Sequence, residues 1–194
     1  MRCLAFSDLH CSLSKARELV ERSAQVDAVL GVGDFASVHN GLEETMSVLS
    51  ALERPFVAVP GNNETDEALR EACGHWATVL HGESAEVDGV TFFGLGAGVP
   101  TTPWDWSFDL TEDEAEAKLA ACPEGAVLLS HSPPRGHVDK GLGSEAVLRA
   151  IEAKRPQVVL CGHIHELWGR ESAVGASPIF NLGPQGRLVE VVQG

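Results

Sequence analysis

The chain has 194 residues, with 28 Asp and Glu against 14 Lys and Arg, so its formal net charge is -14. Its length suits a single domain over residues 1–194, and an apolar share of 44% is too high for a disordered protein. The acidic excess argues against binding to a nucleic acid polymer through its phosphates and against attachment to anionic lipid by basic charge.

The first half of the chain alternates apolar runs with segments of helical period. This pattern predicts three strand–helix pairs, at residues 2–7 with 14–23, 28–31 with 41–52, and 56–59 with 64–73. In the second helix, Leu42, Met46 and Leu49 recur at i, i+4 and i+7, which places them on one face. The first half is therefore of the βαβ type.

The second half is richer in strands. Asp88-Gly89 between two apolar runs predicts a hairpin of residues 84–87 and 90–94. Thr111 with Glu114 forms a capping box for a helix ending near residue 121, and Ser144 caps a helix that runs to residue 154. Further strands are predicted at 126–130, at 158–161 and, as a final pair, at 178–181 and 187–192. The whole pattern predicts an α/β fold with two sheets covered by helices.

The sequence shows neither a targeting signal nor a cysteine motif. No apolar run is long enough to cross a membrane, and the N-terminal one is too short for a signal peptide. The five cysteines include no Cys-x-x-Cys pair, which argues against a zinc finger or a disulfide framework. We therefore expect a cytoplasmic protein without a membrane partner.

Five segments share one property, because each places Asp, Asn or His just after an apolar, strand-like run. The side chains concerned are Asp8, His10, Asp34, Asn62, His131, His163 and His165. Strand ends are where layered α/β proteins build their sites. Two carboxylates, one amide and four imidazoles suit divalent Mn, Fe, Zn, Co or Ni. Seven side chains are too many for one ion and fit two ions that share a carboxylate.

Each motif alone also has a structural explanation. Asp8 and Asp34 suit turns or caps, and Gly-Asn at residues 61–62 is a common turn dipeptide. The paired His163 and His165 are more specific, because two imidazoles after a buried strand are unusual in a core. The conjunction of all five segments in one strand-end context favours a metal site.

The order Asp-x-His, Gly-Asp, Gly-Asn, His, Gly-His-x-His resembles that of the calcineurin-like metallophosphoesterase superfamily, and residues 130–134 look like its short bacterial members. The resemblance implies a four-layer αββα sandwich of two mixed β-sheets between helices. It implies two divalent ions, with manganese favoured: one held by Asp8, His10 and His165, the other by Asn62, His131 and His163, with Asp34 bridging them.

One position departs from the family pattern. In many members the residue after the ligand Asn is a His that protonates the leaving oxygen, and here it is Asn63. An amide can hold a phosphoryl oxygen but cannot act as a general acid, and losing such an acid costs on the order of a hundred-fold with a poor leaving group. We therefore expect weak turnover of alkyl monoesters. His39 is a candidate replacement acid, or an exposed loop residue.

Two more residues are candidates for substrate binding beside Asn63. Trp104, with Trp106, either stacks on a base or aryl group or holds down a Pro-rich loop. His137 lies on the loop after His131, where it would line the substrate mouth. Asn181 lies in a segment that resembles a family loop near the metals, which suggests a supporting role.

The leading hypothesis is a phosphodiesterase that acts on small phosphate esters through a hydroxide bridging two metal ions. The alternatives are a phosphomonoesterase or protein phosphatase, and a non-catalytic protein-interaction scaffold of the same fold. The acidic surface would repel long polyanions, which favours a small ester as the partner. Association into a homo-oligomer is compatible with the sequence.

Overall fold

The computed structural model describes residues 1–193, which contain eleven strands and five α-helices. The strands are β1 (Arg2–Phe6), β2 (Ala28–Val32), β3 (Phe56–Val59), β4 (Thr78–Val79), β5 (Glu83–Val87), β6 (Val90–Leu95), β7 (Val127–Ser130), β8 (Val158–Cys161), β9 (Glu171–Val174), β10 (Ser177–Asn181) and β11 (Arg187–Glu190). The helices are α1 (Leu13–Ser23), α2 (Leu42–Leu49), α3 (Asp66–Cys73), α4 (Glu112–Leu119) and α5 (Glu145–Lys154).

The strands form two mixed sheets. The first has the order β11-β1-β2-β3-β4, in which only β11 runs antiparallel to its neighbour among the described strands. The second has the order β5-β6-β7-β8-β10-β9, with antiparallel pairs at its two edges. Parallel central strands are buried on both faces, which explains why they are continuous apolar runs.

Three apolar clusters separate four layers. One lies between the sheets and includes Leu30 and Leu129, and a second packs the outer face of the first sheet against α1, α2 and α3. The third packs the second sheet against α4 and α5 and includes Phe93 and Ile151. The predicted αββα sandwich of two mixed sheets is thus confirmed.

The prediction that the last two strands pair with each other was wrong. β10 lies between β8 and β9 in the second sheet, whereas β11 pairs with β1 in the first. The connection between β10 and β11 crosses from one sheet to the other, and Gly183 there exchanges hydrogen bonds with Ser7. A short polar connection between two strands resembles a hairpin turn, so the sequence pattern does not distinguish a hairpin from a crossing between two sheets.

Local capping signals were read correctly at two helices. The Thr111 side chain accepts from the Glu114 amide and the Glu114 carboxylate accepts in return, while Ser144 caps α5. The prediction that the third helix begins at residue 64 was wrong. Thr65 is the N-cap of α3, and Glu64 lies outside the helix. No helix among the described residues has the length and apolarity to span a membrane.

His81 should make stability depend on pH. Burial lowers its pKa from 6.5 to about 4, and its Nδ1 accepts a hydrogen bond from the Gly96 amide. The unfolded chain takes up this proton near pH 6.5 and the folded protein only near pH 4, so stability falls as the pH drops between those values. Allowing for partial exposure, we expect a loss of about 2 kcal/mol.

The variant His81→Asn supplies the matched control, because its amide oxygen can accept from Gly96 without titrating. Urea denaturation at pH 7 and pH 4.5 should show a smaller loss of stability in the variant than in the wild type. Equal losses in the two proteins would contradict the assignment.

Candidate metal centre

The seven predicted ligands converge at one edge of the two sheets. Asp8, Asp34 and His163 each lie two residues beyond the end of a strand, after β1, β2 and β8 respectively. His131 directly follows β7, and Asn62 follows β3 by a short loop. Because parallel strands end at the same edge of a sheet, and the two sheets face each other, these side chains meet.

The first group contains Asp8, His10, Asp34 and His165. The Nε2 atoms of His10 and His165 lie 3.0 Å apart, and His165 Nε2 lies 3.7 Å from Asp8 Oδ1. His10 Nε2 lies 3.6 Å from Asp34 Oδ2. The donor atoms of this group all lie within 4.8 Å of one another, so they could hold a single ion.

The second group contains Asp34, His131 and His163, and Asn62 joins it. Asn62 Oδ1 lies 3.2 Å from His131 Nε2 and 3.0 Å from His163 Nδ1. His131 Nδ1 lies 2.9 Å from the Val32 carbonyl, which can only accept, so this nitrogen carries the proton and Nε2 keeps a lone pair for a metal.

Asp34 belongs to both groups, and its two oxygens face different ones. Oδ2 faces His10, whereas Oδ1 lies 3.5 Å from His131 Nε2. The side chain is 2% exposed. A carboxylate so placed has the geometry of a ligand shared by two ions.

The backbone at the site adopts conformations that side chains usually avoid. Asp8, His10, Asp34 and His163 all have positive φ, between 43° and 67°. Such strain persists only where the surrounding structure holds it, and it clusters at functional sites. The fold therefore presents these four donors in a fixed arrangement before any ion arrives.

The electrostatics suit cation binding at neutral pH. Burial disfavours the charged form of Asp8, yet interactions with His165 and His131 outweigh it and lower its pKa to about 2. Burial and the nearby His131 lower the pKa of His163 to about 4, so its ring is neutral and free to ligate. The interaction with Asp8 raises the pKa of His165. Burial disfavours the charged form of His131, but the charges of Asp34 and Asp8 outweigh it and raise the pKa of His131, so acid should weaken metal binding at both groups.

Glu64, which is 1% exposed, was not identified as a site residue from the sequence. Its Oε1 accepts from the amides of Asp34 (2.8 Å) and Gly61 (2.7 Å), and its Oε2 accepts from Ala36 (2.9 Å). Burial and the charge of Asp34 raise its pKa to about 7. Glu64 thus joins the loops after β2 and β3, which carry Asp34 and Asn62.

Two further neighbours of Asp8 were also missed. Trp168 Nε1 donates to Asp8 Oδ2 at 3.1 Å, and its ring lies 4.7 Å from that of His165 between centroids. Ser7 Oγ donates to the same oxygen, while the His163 amide donates to Oδ1 at 3.0 Å. Asp8 is therefore oriented on both oxygens by neighbouring donors.

Trp168→Phe should weaken metal binding at the first group. The variant keeps a ring against His165 but loses the donor to Asp8, and losing such a supporting hydrogen bond costs about tenfold or more in metal affinity. Titration of metal-free protein with Mn²⁺ by calorimetry measures the effect. Trp76→Phe is the control, because Trp76 packs on Phe56 away from the site. Unchanged affinity in Trp168→Phe would refute this role.

The two candidate catalytic residues have other partners. Asn63 donates from its side chain to Asp34 Oδ2 (2.8 Å) and from its backbone to Asp34 Oδ1 (2.9 Å), and its Oδ1 accepts from the Val38 amide. Asn63 lines the cavity beside the metal ligands, but both ends of its amide are engaged. His39 Nε2 bonds the Trp106 carbonyl at 2.5 Å and lines a neighbouring cavity near α2 and α3.

Of the candidate substrate-binding residues, Trp104 lines the cavity beside the candidate ligands and His137 does not. Trp104 and Trp106 line the cavity that contains His10, Asp34 and His163. His137 does not line it, and its Nδ1 bonds Ser172 Oγ at 2.8 Å. His137 as a substrate contact therefore stays a prediction.

Asn181, for which the sequence suggested a supporting role, is fully buried. Its amide donates at 3.3 Å to the carbonyls of Val138, Gly162 and Ile164. It thereby connects the loop that carries His163 to the loop of residues 135–143.

Comparison with known proteins identifies the family of the chain. The family model of the calcineurin-like phosphoesterase superfamily domain matches residues 1–190. UPF0046 protein K07C11.7 of Caenorhabditis elegans is 31% identical over 96 residues, which are 47% of this chain and 33% of that protein. The chain thus matches about a third of the length of this curated relative.

Solved structures share the fold. TT1561 of Thermus thermophilus aligns with a TM-score of 0.76 at 19% identity, over 95% of this chain and 90% of that one. A dimetal phosphatase from Danio rerio aligns with a TM-score of 0.67 at 14% identity, over 95% and 88%. Because the family model spans almost the whole sequence, the chain belongs to the calcineurin-like phosphoesterase superfamily.

Proposed function

We propose that the chain is a two-metal phosphoesterase of the cytoplasm that prefers phosphodiesters. The observation that carries the proposal is the position of Asp34, whose two oxygens face two separate groups of donors. Asp8, His10 and His165 would hold one ion, and Asn62, His131 and His163 the other. The donor set fits Mn, Fe, Zn, Co or Ni, with manganese favoured.

Two ions, when bound, would supply an activated water and neutralise charge on the phosphoryl oxygens. The chain's own residues hold that centre in place. Asn63 donates to both oxygens of Asp34, which restricts the orientation of this carboxylate between the two groups. Glu64 restrains Asp34 by accepting from its backbone amide, and Trp168 restrains Asp8 by donating to its carboxylate.

A preference for esters with an acidic alcohol follows from the proton donors at the site, and a phosphodiester with one such alcohol meets it. Among the described residues lining the cavity, every imidazole belongs to a proposed ligand. Glu166 lines it too, but the bond from Lys140 lowers its pKa, so it is ionised at neutral pH. With no free acid to protonate a leaving alkoxide, hydrolysis should favour esters whose alcohol is acidic.

The test is an assay after reconstitution with each candidate metal, using bis(p-nitrophenyl) phosphate, p-nitrophenyl phosphate and an alkyl monoester side by side. We expect turnover of the aryl diester to exceed that of the alkyl monoester by about a hundred-fold. Faster turnover of p-nitrophenyl phosphate than of the aryl diester would favour a phosphomonoesterase, and no turnover of any ester with any metal would favour a scaffold.

A further inference from the structure

The cavity of the metal centre has an apolar rim. Trp104 and Trp106 come from the loop between β6 and α4, Leu142 from the loop before α5, and Ile164 follows His163. The cavity has a volume of about 540 Å³, which is in the range of small-molecule sites. Because the metal ligands form part of its lining, a phosphate ester bound to the ions would extend its alcohol portion along this rim.

The loop that carries Trp104 is held by hydrogen bonds that do not involve the Trp104 side chain. Asp109 accepts from the Thr102 amide (2.7 Å) and from Ser107 Oγ (2.7 Å). The Phe108 amide donates to the Asn62 carbonyl (2.9 Å), which ties the loop to a proposed metal ligand. The loop is therefore anchored by its polar side chains and backbone, so anchoring does not explain an aromatic residue at position 104.

Trp104 is instead presented as a platform. It stacks on Trp106 with ring centroids 5.6 Å apart and an angle of 14° between the planes. It is nevertheless 50% exposed. A rigid aromatic face that is already in place binds a planar group with little loss of conformational freedom.

We propose that the exposed face of Trp104 stacks on a planar aromatic ring in the alcohol portion of the substrate, which makes the substrate class phosphate esters whose alcohol carries an aromatic or heteroaromatic ring. The assignment rests on the proposed function. The other rim residues agree with a neutral ring, because Leu142 and Ile164 are aliphatic and the one charged lining residue outside the ligand set, Glu166, is paired with Lys140 at 2.9 Å.

The test compares 2,2,2-trifluoroethyl diesters, whose shared leaving group has no ring that could stack on Trp104, and which differ in the second alcohol: cyclohexylmethyl, benzyl or thymidine 5′. With Mn²⁺-loaded protein, kcat/KM for the benzyl ester should exceed that for the cyclohexylmethyl ester by about tenfold, since stacking needs a flat π-face. The thymidine ester should share the advantage. A preference for thymidine without one for benzyl would indicate recognition of the base edge and would overturn the proposal.

Variants separate stacking from general apolar contact. Trp104→Ala should bring the benzyl-to-cyclohexylmethyl ratio close to one, and Trp104→Phe should retain most of it. Leu142→Ala should lower kcat/KM for both esters and leave the ratio in place. A ratio that survives Trp104→Ala would overturn the proposal.

A binding measurement keeps this inference separate from the proposed function. Benzylphosphonate and cyclohexylmethylphosphonate, which are not hydrolysed, are titrated into Mn²⁺-loaded protein by calorimetry. If no diester is turned over, the proposed function fails, while tighter binding of the benzyl compound that is lost in Trp104→Ala still supports the platform. Equal affinities, or no binding of either phosphonate, would overturn it.

Discussion

Asp34→Asn should abolish ester hydrolysis and reduce the metal content. The change removes the negative charge that both groups of donors share, and each Asp34 oxygen already accepts from Asn63. Whichever way the new amide turns, its NH₂ faces a donor, and this mismatch costs about 1–3 kcal/mol in addition to the lost ligand. We expect turnover to fall by on the order of a thousand-fold, as the loss of several kcal/mol of metal stabilisation implies.

Metal analysis of the purified variant by mass spectrometry should give clearly fewer ions per chain than the wild type. Asp88→Asn makes the same change of charge at an exposed turn and should leave metal content and turnover as they are. Full retention of both ions and of activity in Asp34→Asn would rule out the bridging role.

Gly61→Ala should destabilise the protein and disturb the metal centre together. A Cβ at residue 61 would lie 2.0 Å from Asp34 Oδ1 and 2.2 Å from the Asp34 backbone nitrogen. Neither atom can move away without breaking a hydrogen bond, because the Asp34 amide donates to Glu64 and Asp34 Oδ1 accepts from the Asn63 amide. We expect a loss of about 3 kcal/mol or more in the free energy of unfolding, which is typical of overpacking against a rigid backbone.

Gly125→Ala is the comparison for this variant. Gly125 has a φ of 72° and no heavy atom near its potential Cβ, so alanine there meets only conformational strain of about 1 kcal/mol. Chemical denaturation of both variants gives the difference, and metal content should drop only in Gly61→Ala. If the two variants were equally stable, the close approach of Gly61 to Asp34 would have no energetic consequence.

The parts of the structure that were predicted correctly depend on local signals or on strand ends. The capping residues Thr111 and Ser144 act within one helical turn, so the sequence alone contains the information. The convergence of the seven candidate ligands could be predicted because each follows an apolar run, and parallel strands bring such positions together without further knowledge of packing. Their role as metal ligands stays a prediction.

The supporting residues could not be found in this way. Trp168 donates to Asp8 across 160 residues, and Glu64 accepts from three amides whose positions depend on how the strand ends meet. A buried Glu just before the acidic first turn of α3 looks like part of that helix. The strand β9 was missed because its half-exposed sequence lacks an apolar face.

The crossing from β10 to β11 makes the first sheet depend on contacts between residues far apart in the sequence. β1 takes β11 as its antiparallel partner, and the α-amino group of Met1 bonds the Val191 carbonyl 190 residues away. Ser7 and Asp8 likewise have partners at Gly183 and Trp168. Contacts of such long range slow folding. We therefore expect the first sheet and the surroundings of Asp8 to be completed late in folding.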